Sequence, residues 1–498
     1  MVKLLFINAG NDNKEAGNAN ISSFPPLGII SMATMVKEHF GDECETILID
    51  GQIDCVDDVK RIIEYEKADA VLISMYCTGI RYAIECAKCA HDVGSLTIIG
   101  NDHAKAHYKT LLRKIPEIDI ISLDEFGEFM SFFLAESLIN RTSVFHIPNI
   151  AYVNENGEII TTKSICDRNR IWLKDPFKFT PLPNRALLKK DYWDEYLQNF
   201  KRVKGRIYNK NNATGVTTMN RARGCVNSRH RCSYCGIGDL SLYKSSASSF
   251  WKDIQNARRE VKANYFYECF DNFTYSQKYI YELLLSRPSE MEDTNLIVYS
   301  SADRINEANC DILHGLGVYL VNLGLDAGDE LGLKLLKGIN TSVADNYHAV
   351  NMLTKRCFDM HISFVLMGLG SNEITRKSMD TTMGFIKYLM ENTSLSILDC
   401  ALFYPDKTAP VGGLIWNPDN YYLLKDKYHL SYIDTNYLDI IHNKWKDEVF
   451  IDSAEITKDF AKLCGTDYTL LLDYQQKIKE MCDEYGVSFG YSQAGKII

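Results

Sequence analysis

Two stretches of the chain each alternate short apolar runs with helix-period segments, and this alternation restricts the fold more than any other feature. The first stretch runs from Met1 to about Pro148. Leu4–Asn8, Thr46–Asp50, Ala70–Ser74, Leu96–Gly100 and Ile118–Ser122 are apolar runs separated by segments such as Gly28–Glu38 with helical periodicity. Strands regularly separated by helices form a parallel, doubly wound α/β sheet. Ligands of such sheets bind beyond the carboxyl ends of the strands. The informative loops are therefore Ala9–Phe24 with Pro25-Pro-Leu-Gly28 behind it, Asp50–Asp54, Ser74–Thr78 and Gly100–Ala104.

The second series begins near Val216–Asn220 and continues with Tyr265–Phe270, Leu296–Ser300, Tyr319–Gly324, Ile362–Gly368 and Ser396–Phe403, with helical segments such as Trp251–Ala263 and Tyr275–Ser286 between them. Six β/α units predict a partial (β/α)6 TIM-like barrel whose site lies at the strand carboxyl ends. The organisation expected is thus 1–148, a connector 149–204, the barrel 205–410 and a mainly helical tail 411–498. In the connector, a hairpin is expected around Asn156-Gly157, and the Pro-rich Asp175–Asn184 reads as extended. In the tail, Ala454–Cys464 and Tyr468–Glu484 read as helices. Its tyrosines belong either to a wall over the barrel mouth or to ordinary core.

At 498 residues and 46% hydrophobic content the chain holds two or three domains with full cores. A net charge of -10 argues against sequence-independent nucleic-acid binding, and the basic stretch Lys201–Lys210 reads as a solvated linker. No apolar run reaches the length of a membrane span, and the amino terminus is too short for a signal core, so a cytoplasmic location is expected. Fifteen scattered cysteines fit a reducing compartment. Cys86 and Cys89 form a Cys-x-x-Cys pair on a helical segment, where they read as small semi-buried residues.

Three further cysteines carry chemistry. In Arg221-Ala-Arg-Gly-Cys-Val-Asn-Ser-Arg-His-Arg-Cys-Ser-Tyr-Cys-Gly-Ile-Gly238, Cys225, Cys232 and Cys235 lie on one loop behind the first barrel strand. Three thiolates from one loop suit three irons of a four-iron cluster, leaving the fourth iron open, whereas structural zinc needs four ligands. His230 inside the loop keeps a zinc knuckle as the alternative, and three thiols placed by chance are another.

The Arg-Gly before Cys225 and the Cys232-Ser-Tyr234-Cys235 turn resemble the cluster loop of radical S-adenosylmethionine (SAM) enzymes. In that family the usual gaps are three residues and two; here the first gap is six, an insertion at or near Arg229-His230-Arg231. Later strand ends resemble the family as well. Phe270-Asp271-Asn272-Phe-Thr274 stands where Asp-Asp-x-Phe-Thr approaches the SAM amine, with Phe270 in place of the first Asp. Ser300-Ser301-Ala-Asp-Arg304 stands where an Arg usually meets the SAM carboxylate. Ser301 replaces that Arg, and Arg304 is either a compensating clamp or a surface ion pair. Gly324-Leu-Asp326-Ala-Gly328, followed by Leu336-Lys-Gly-Ile-Asn340, resembles Gly-x-Glu-x-Gly, with Asp326 as the acceptor for a ribose hydroxyl. Gly368-Leu-Gly370 would let backbone approach the adenine.

The first domain resembles the cobalamin-binding domain that precedes one large radical SAM subgroup, through Pro25-Pro26-Leu27-Gly28 and Asp124-Glu-Phe-Gly-Glu128. Where cobalt-ligating relatives carry Asp-x-His-x-x-Gly, this chain has Asp50-Gly-Gln52-Ile-Asp-Cys55, so the resemblance implies no protein imidazole on cobalt. Gly100-Asn101 replaces a Gly-Gly pair, and Ser74, Tyr76 and His103 lie on neighbouring loops. His103 and His107 are either pocket residues or exposed loop histidines. An alternative is an α/β module that has lost its cofactor.

The resemblance covers about residues 1–410 and implies a class B-like radical SAM methyltransferase. It would cleave SAM reductively at a [4Fe-4S] cluster to a 5′-deoxyadenosyl radical and methylate a carbon or phosphorus of a small biosynthetic intermediate through methylcobalamin. A small-molecule substrate and an electron donor such as flavodoxin or ferredoxin are the partners implied. The alternatives are a non-methylating radical rearrangement, ring contraction, cyclisation or oxidation on the same architecture, and a non-catalytic iron-sulfur or cobalamin sensor.

Overall fold

The computed structural model describes residues 1–498 except 13–23, 164–175, 203–209, 226–230, 238–240, 339–340, 429, 431, 451 and 491–498. Several sequence expectations therefore fall outside the described residues: most of the loop after the first strand, Arg229 and His230 of the cysteine loop, Gly238, Asp175, Ile339, Asn340 and most of the basic stretch 201–210. The described chain divides into two compact units, 1–201 with 214–222 and 243–263, and 202–213 with 223–242 and 264–498.

The first unit is built on β1 (Val2–Asn8), α1 (Leu27–Phe40), β2 (Cys44–Asp50), α2 (Val56–Glu66), β3 (Ala70–Ser74), α3 (Ile80–Asp92), β4 (Leu96–Gly100), α4 (Asp102–Ala106), α5 (Tyr108–Lys114), β5 (Ile120–Ser122) and α6 (Gly127–Ile139). The sheet order is β2-β1-β3-β4-β5, all parallel, as the alternation predicts. Its strands are buried on both faces, with Leu4, Phe6, Ala70, Leu72, Ile98 and Ile120 in one core. The expected hairpin forms as β6 (Ile150–Val153) and β7 (Ile159–Thr161), with Gly157 at φ 78 in its turn. It extends this sheet in antiparallel fashion, because β6 pairs with β5.

The rest of the connector is more structured than the sequence suggests. A turn of 3₁₀ helix at Pro176–Lys178 interrupts the Pro-rich stretch, and a second at Arg185–Leu187 and α7 (Lys190–Arg202) follow it. Its Tyr192, Trp193, Tyr196 and Phe200 recur at helical spacing and are buried. Arg185 is 0% exposed and donates to Thr217 Oγ1 at 2.8 Å, the Thr218 carbonyl at 2.9 Å and Asp253 Oδ1 at 2.7 Å. It thereby ties β8 (Val216–Met219) and α8 (Ala247–Val261) to the turn at 185–187.

In the second unit, β9 (Tyr265–Glu268), α9 (Gln277–Leu285), β10 (Asn295–Ser300), α10 (Glu307–Gly315), β11 (Val318–Asp326), α11 (Glu330–Lys337), α12 (Val343–Lys355), β12 (Asp359–Leu366), α13 (Asn372–Asn392) and β13 (Leu395–Leu402) continue the barrel series. All six expected strands, β8 to β13, are present. The tail supplies α14 (Pro410–Ile415), α15 (Tyr422–Asp426), α16 (Thr435–Trp445), α17 (Ser453–Leu463), α18 (Tyr468–Tyr485) and one further strand, β14 (Ser488–Gly490). Within this unit the strands run β14-β13-β12-β11-β10-β9, all parallel, in a curled half-barrel. Leu424, Leu438, Trp445 and Phe460 of the tail share a core with Leu336, Met367 and Phe403, and Phe403 stacks on Phe460 at 4.5 Å. No helix among the described residues is long and apolar enough to cross a membrane.

Candidate functional site

In the second unit the cysteine loop is fixed by backbone chemistry on either side of its undescribed centre. Gly224 sits at φ 91, and a Cβ there would lie 2.0 Å from the Ser241 carbonyl oxygen, so only glycine turns the chain into Cys225. On the other side, Ser233 N–H donates to the Leu336 carbonyl at the end of α11 (2.8 Å), and Val411 N–H donates to the Ser233 carbonyl (3.0 Å). The Arg231 guanidinium donates to the Cys235 carbonyl at 2.6 Å.

Cys225, Cys232 and Cys235 are partly buried thiols outside any disulfide. Burial pushes the Cys232 thiol up to about 12 and raises that of Cys235, and negative charge on Cys225 raises both further. Such thiols stay protonated at neutral pH and would release their protons to solvent only as a metal takes the thiolate. Among the described residues no three His, Cys, Asp or Glu side chains stand ready to hold one metal ion. A four-iron cluster asks for less convergence, because each thiolate binds its own iron. The donor set thus fits the cluster.

Tyr234, between the last two cysteines, donates to Asp326 Oδ1 at 2.8 Å. Asp326 ends β11 at φ 63, where the pairing with β12 shifts register across Gly324/Asp326. This bulge re-aims the carboxylate. Its second oxygen lies 2.8 Å from Lys337 Nζ, and Lys337 also donates to the Gly324 carbonyl. Burial pulls the Lys337 ammonium down, but the charges of Asp326 and Cys232 outweigh it and leave it raised. Lys337 was not singled out from the sequence, since a lysine ending an amphipathic helix reads as solvent-facing.

At the next strand ends, Asn272 Nδ2 donates to Ser301 Oγ at 2.9 Å, and Thr274 joins Asn272 to Ser300. Asp271 is exposed, while Phe270 is buried edge-on against Tyr275. Arg304 is half-exposed and pairs with its neighbour Asp303 at 3.2 Å, the geometry of a surface ion pair. Gly368 faces the tail: its missing Cβ would lie 2.7 Å from Thr466 Oγ1, and its carbonyl accepts from Tyr432 at 3.2 Å.

In the first unit the loops behind β1, β2 and β3 close on one another. A Cβ on Gly10 would lie 2.1 Å from the Gly51 carbonyl oxygen, and one on Gly79 would lie 2.2 Å from that of Gly10. Gln52 Nε2 donates to the Ala9 carbonyl at 2.9 Å, and Gln52 Oε1 accepts from Asn11 at 3.5 Å. Asp50, wholly buried, accepts from Asn8 at 2.8 Å and from the Tyr196 hydroxyl, while Tyr192 donates to Asp54. Both tyrosines come from α7, so a helix absent from the sequence expectation braces the Gln52 loop. Asn101 adopts φ 87 and caps α4 by accepting from Asp102 N–H, and its amide donates to Ser74 Oγ at 3.1 Å. With ψ at 165 this is a backbone region that glycine favours, and the two side-chain hydrogen bonds hold Asn101 in it. Tyr76 is 40% exposed and Gly28 has open space about its Cα. Pro26 caps α1, which begins at Leu27, and Glu128 lies in the first turn of α6. His103 and His107 are buried and stacked at 4.6 Å, which corrects the reading of exposed loop histidines.

No protein-family model matches the sequence, and no curated protein matches it. Solved structures do match. The cobalamin-dependent S-adenosylmethionine radical enzyme OxsB, with aqua-cobalamin and S-adenosylmethionine bound, aligns over 98% of this chain and 62% of its own, at TM-score 0.61 and 15% identity. The radical S-adenosylmethionine methyltransferase TsrM from Kitasatospora setae, with cobalamin and a [4Fe-4S] cluster bound, aligns over 84% of this chain and 75% of its own, at TM-score 0.62 and 14% identity. The fold is that of cobalamin-dependent radical SAM enzymes. With OxsB the shared part is 52% to 62% of that protein's length, so the chain spans little more than half of it.

Proposed function

We propose that this chain is a cobalamin-dependent radical SAM enzyme that methylates an unactivated carbon, or phosphorus, of a small biosynthetic intermediate. The observation that carries the reading is the trio of unbridged thiols Cys225, Cys232 and Cys235, set beside the Tyr234–Asp326–Lys337 network of the half-barrel. When bound, a four-iron cluster open at one iron supplies an electron to SAM, and cobalamin supplies methyl transfer.

The three cysteines would hold the cluster. Asp326, held by Tyr234 and Lys337, keeps lone pairs for a ribose hydroxyl. Asp271, Asn272, Ser300 and Ser301 would serve the SAM amine, and the backbone near Gly368 the adenine. Arg304 would have to leave its surface partner Asp303 to reach the SAM carboxylate. In the first unit Pro26, Leu27, Gly28, Gln52, Ser74, Tyr76, Gly100, Asn101, His103 and Glu128 would line the cobalamin site. The Gln52 amide, already engaged by Ala9 and Asn11, supports a cobalt without a protein imidazole. Segment 411–498 would cover the substrate, and a flavodoxin or ferredoxin is the kind of donor this chemistry calls for.

The test is anaerobic. The full chain is reconstituted with iron, sulfide and hydroxocobalamin, given SAM and a reductant, and assayed for 5′-deoxyadenosine and S-adenosylhomocysteine by mass spectrometry. Both products are expected. 5′-Deoxyadenosine alone would favour a non-methylating radical reaction, and neither product from a protein with a verified cluster would favour a sensor.

A further inference from the structure

The concave face of the half-barrel carries polar side chains that the cofactor assignment leaves unused. Along β12, Met360, Ile362, Phe364 and Leu366 are buried, whereas His361, Ser363 and Val365 between them are partly open, and β13 alternates in the same way. In a helix-covered parallel sheet the fully buried set faces the helices, so the partly open set faces the lumen.

Six adjacent strands each place one residue in a lumenal belt. The Tyr267 hydroxyl on β9 lies 2.5 Å from the Tyr299 hydroxyl on β10. Tyr299 is in register with Asn322 on β11, and Asn322 with His361 on β12. His361 Nε2 lies 2.7 Å from Asp399 Oδ2 on β13, and Asp399 is in register with Gly490 on β14. A side chain at position 490 would occupy the space of the Asp399 carboxylate, since its Cβ would fall 1.6 Å from Oδ1.

This belt has unmet hydrogen-bonding demand of one kind. Among the described residues, the amide oxygen of Asn322, itself 4% exposed, and the second oxygen of Asp399 accept no hydrogen bond. A buried acceptor left without a donor is unfavourable, so a ligand that donates to it gains affinity. Both acceptors flank His361, and no Lys or Arg occurs in any of the six strands. Lys337, which reaches the Gly324 carbonyl from α11, is already paired with Asp326. The lumen therefore offers acceptors and a carboxylate to a ligand and no free cation from its strands.

We propose that this belt is the substrate-binding site and that it takes the amine-bearing end of a small substrate, with Asp399 and Asn322 accepting from its N–H groups. A phosphate or carboxylate end is disfavoured by Asp399. The role as a substrate site rests on the radical SAM reading; the ligand preference rests on the belt alone.

Phenethylamine and phenylacetate, matched in size and opposite in charge, are the probes, titrated calorimetrically into the full chain without cluster, cobalamin or SAM. The amine should bind at least tenfold more tightly than the acid. Asp399→Asn should bring the ratio close to one while circular dichroism shows the fold retained. Asn322→Asp, which places a second carboxylate at the other unmet acceptor, should raise the amine preference and keeps the inference testable if Asp399→Asn does not fold. Equal affinity for the two probes, no amine binding, or a preference that neither substitution changes would overturn it. Cleavage of SAM by a protein without the amine preference would sink this inference and leave the radical SAM reading standing. An amine preference in a protein that never cleaves SAM would remove the radical SAM reading, and the substrate role with it, and leave the ligand preference standing.

Discussion

Asp326 shows how much a single residue's conformation contributes to this site. Its left-handed backbone and the bulge before it bring one carboxylate between a tyrosine of the cysteine loop and the last residue of α11. Removing one member of a buried ion pair strands the other charge, at a cost of about 3–5 kcal/mol. Asp326→Leu and Lys337→Met should therefore each destabilise the chain strongly, and the double substitution should cost less than their sum; urea denaturation of the four proteins tests this. Asp124 gives a pH-dependent counterpart. Burial raises its carboxyl from 3.8 to about 6, so the folded state holds the proton more tightly than the unfolded one. Its contribution to stability is full below about pH 4 and is lost as the pH rises through 6, a difference of up to about 3 kcal/mol. Asp124→Asn should accordingly equal or exceed the parent at pH 7 and lose that advantage at pH 4, read from denaturation midpoints. The three cysteines and Asp326 were legible as residue types in a pattern. Lys337 was not, because its burial comes from long-range pairing with Asp326 and the Gly324 carbonyl, which leaves no mark in the helix that carries it. The burial of His103 and His107 was hidden as well: His103 lies on the five-residue α4 and His107 in the junction with α5, too short a stretch to show a period.

At the scale of elements, period carried the reading. The strands β1 to β5 were visible as short apolar runs, because strands buried on both faces are written in nearly continuous apolar residues, and those from β8 to β13 as short segments rich in apolar, β-branched and aromatic residues, alternating with polar ones along β12 and β13. What lacked such a run was missed. β14 has only three residues, and α7 lies in a stretch dominated by charged residues, although the spacing of Tyr192, Tyr196 and Phe200 carries the helical signal. Arg185 joins a turn, a strand and a helix from inside the first unit, with Arg221 on the other side of Asp253 at 3.3 Å. Arg185→Met should cost about 3–5 kcal/mol, since Asp253 loses its closest partner, and thermal unfolding should register it. Gly224→Ala acts differently. A left-handed non-glycine residue that also meets a carbonyl costs about 1–3 kcal/mol, and the distortion falls on Cys225. The expected result is less iron retained per chain after reconstitution with global secondary structure intact.

For the whole molecule, TM-scores of 0.61 and 0.62 accompany identities of only 15% and 14%. Such a fold is preserved through its order of strands and helices, which is the level at which the sequence could be read. The functional assignment rests on fewer residues, above all on three thiols whose loop carries a six-residue first gap. Electron paramagnetic resonance of the anaerobically reconstituted, reduced chain, with and without SAM, tests that assignment most directly. The account predicts the signal of a reduced four-iron cluster that changes when SAM is added and is lost in Cys232→Ala. A full iron complement whose signal ignores SAM, or a chain that takes up one zinc and no iron, would contradict it.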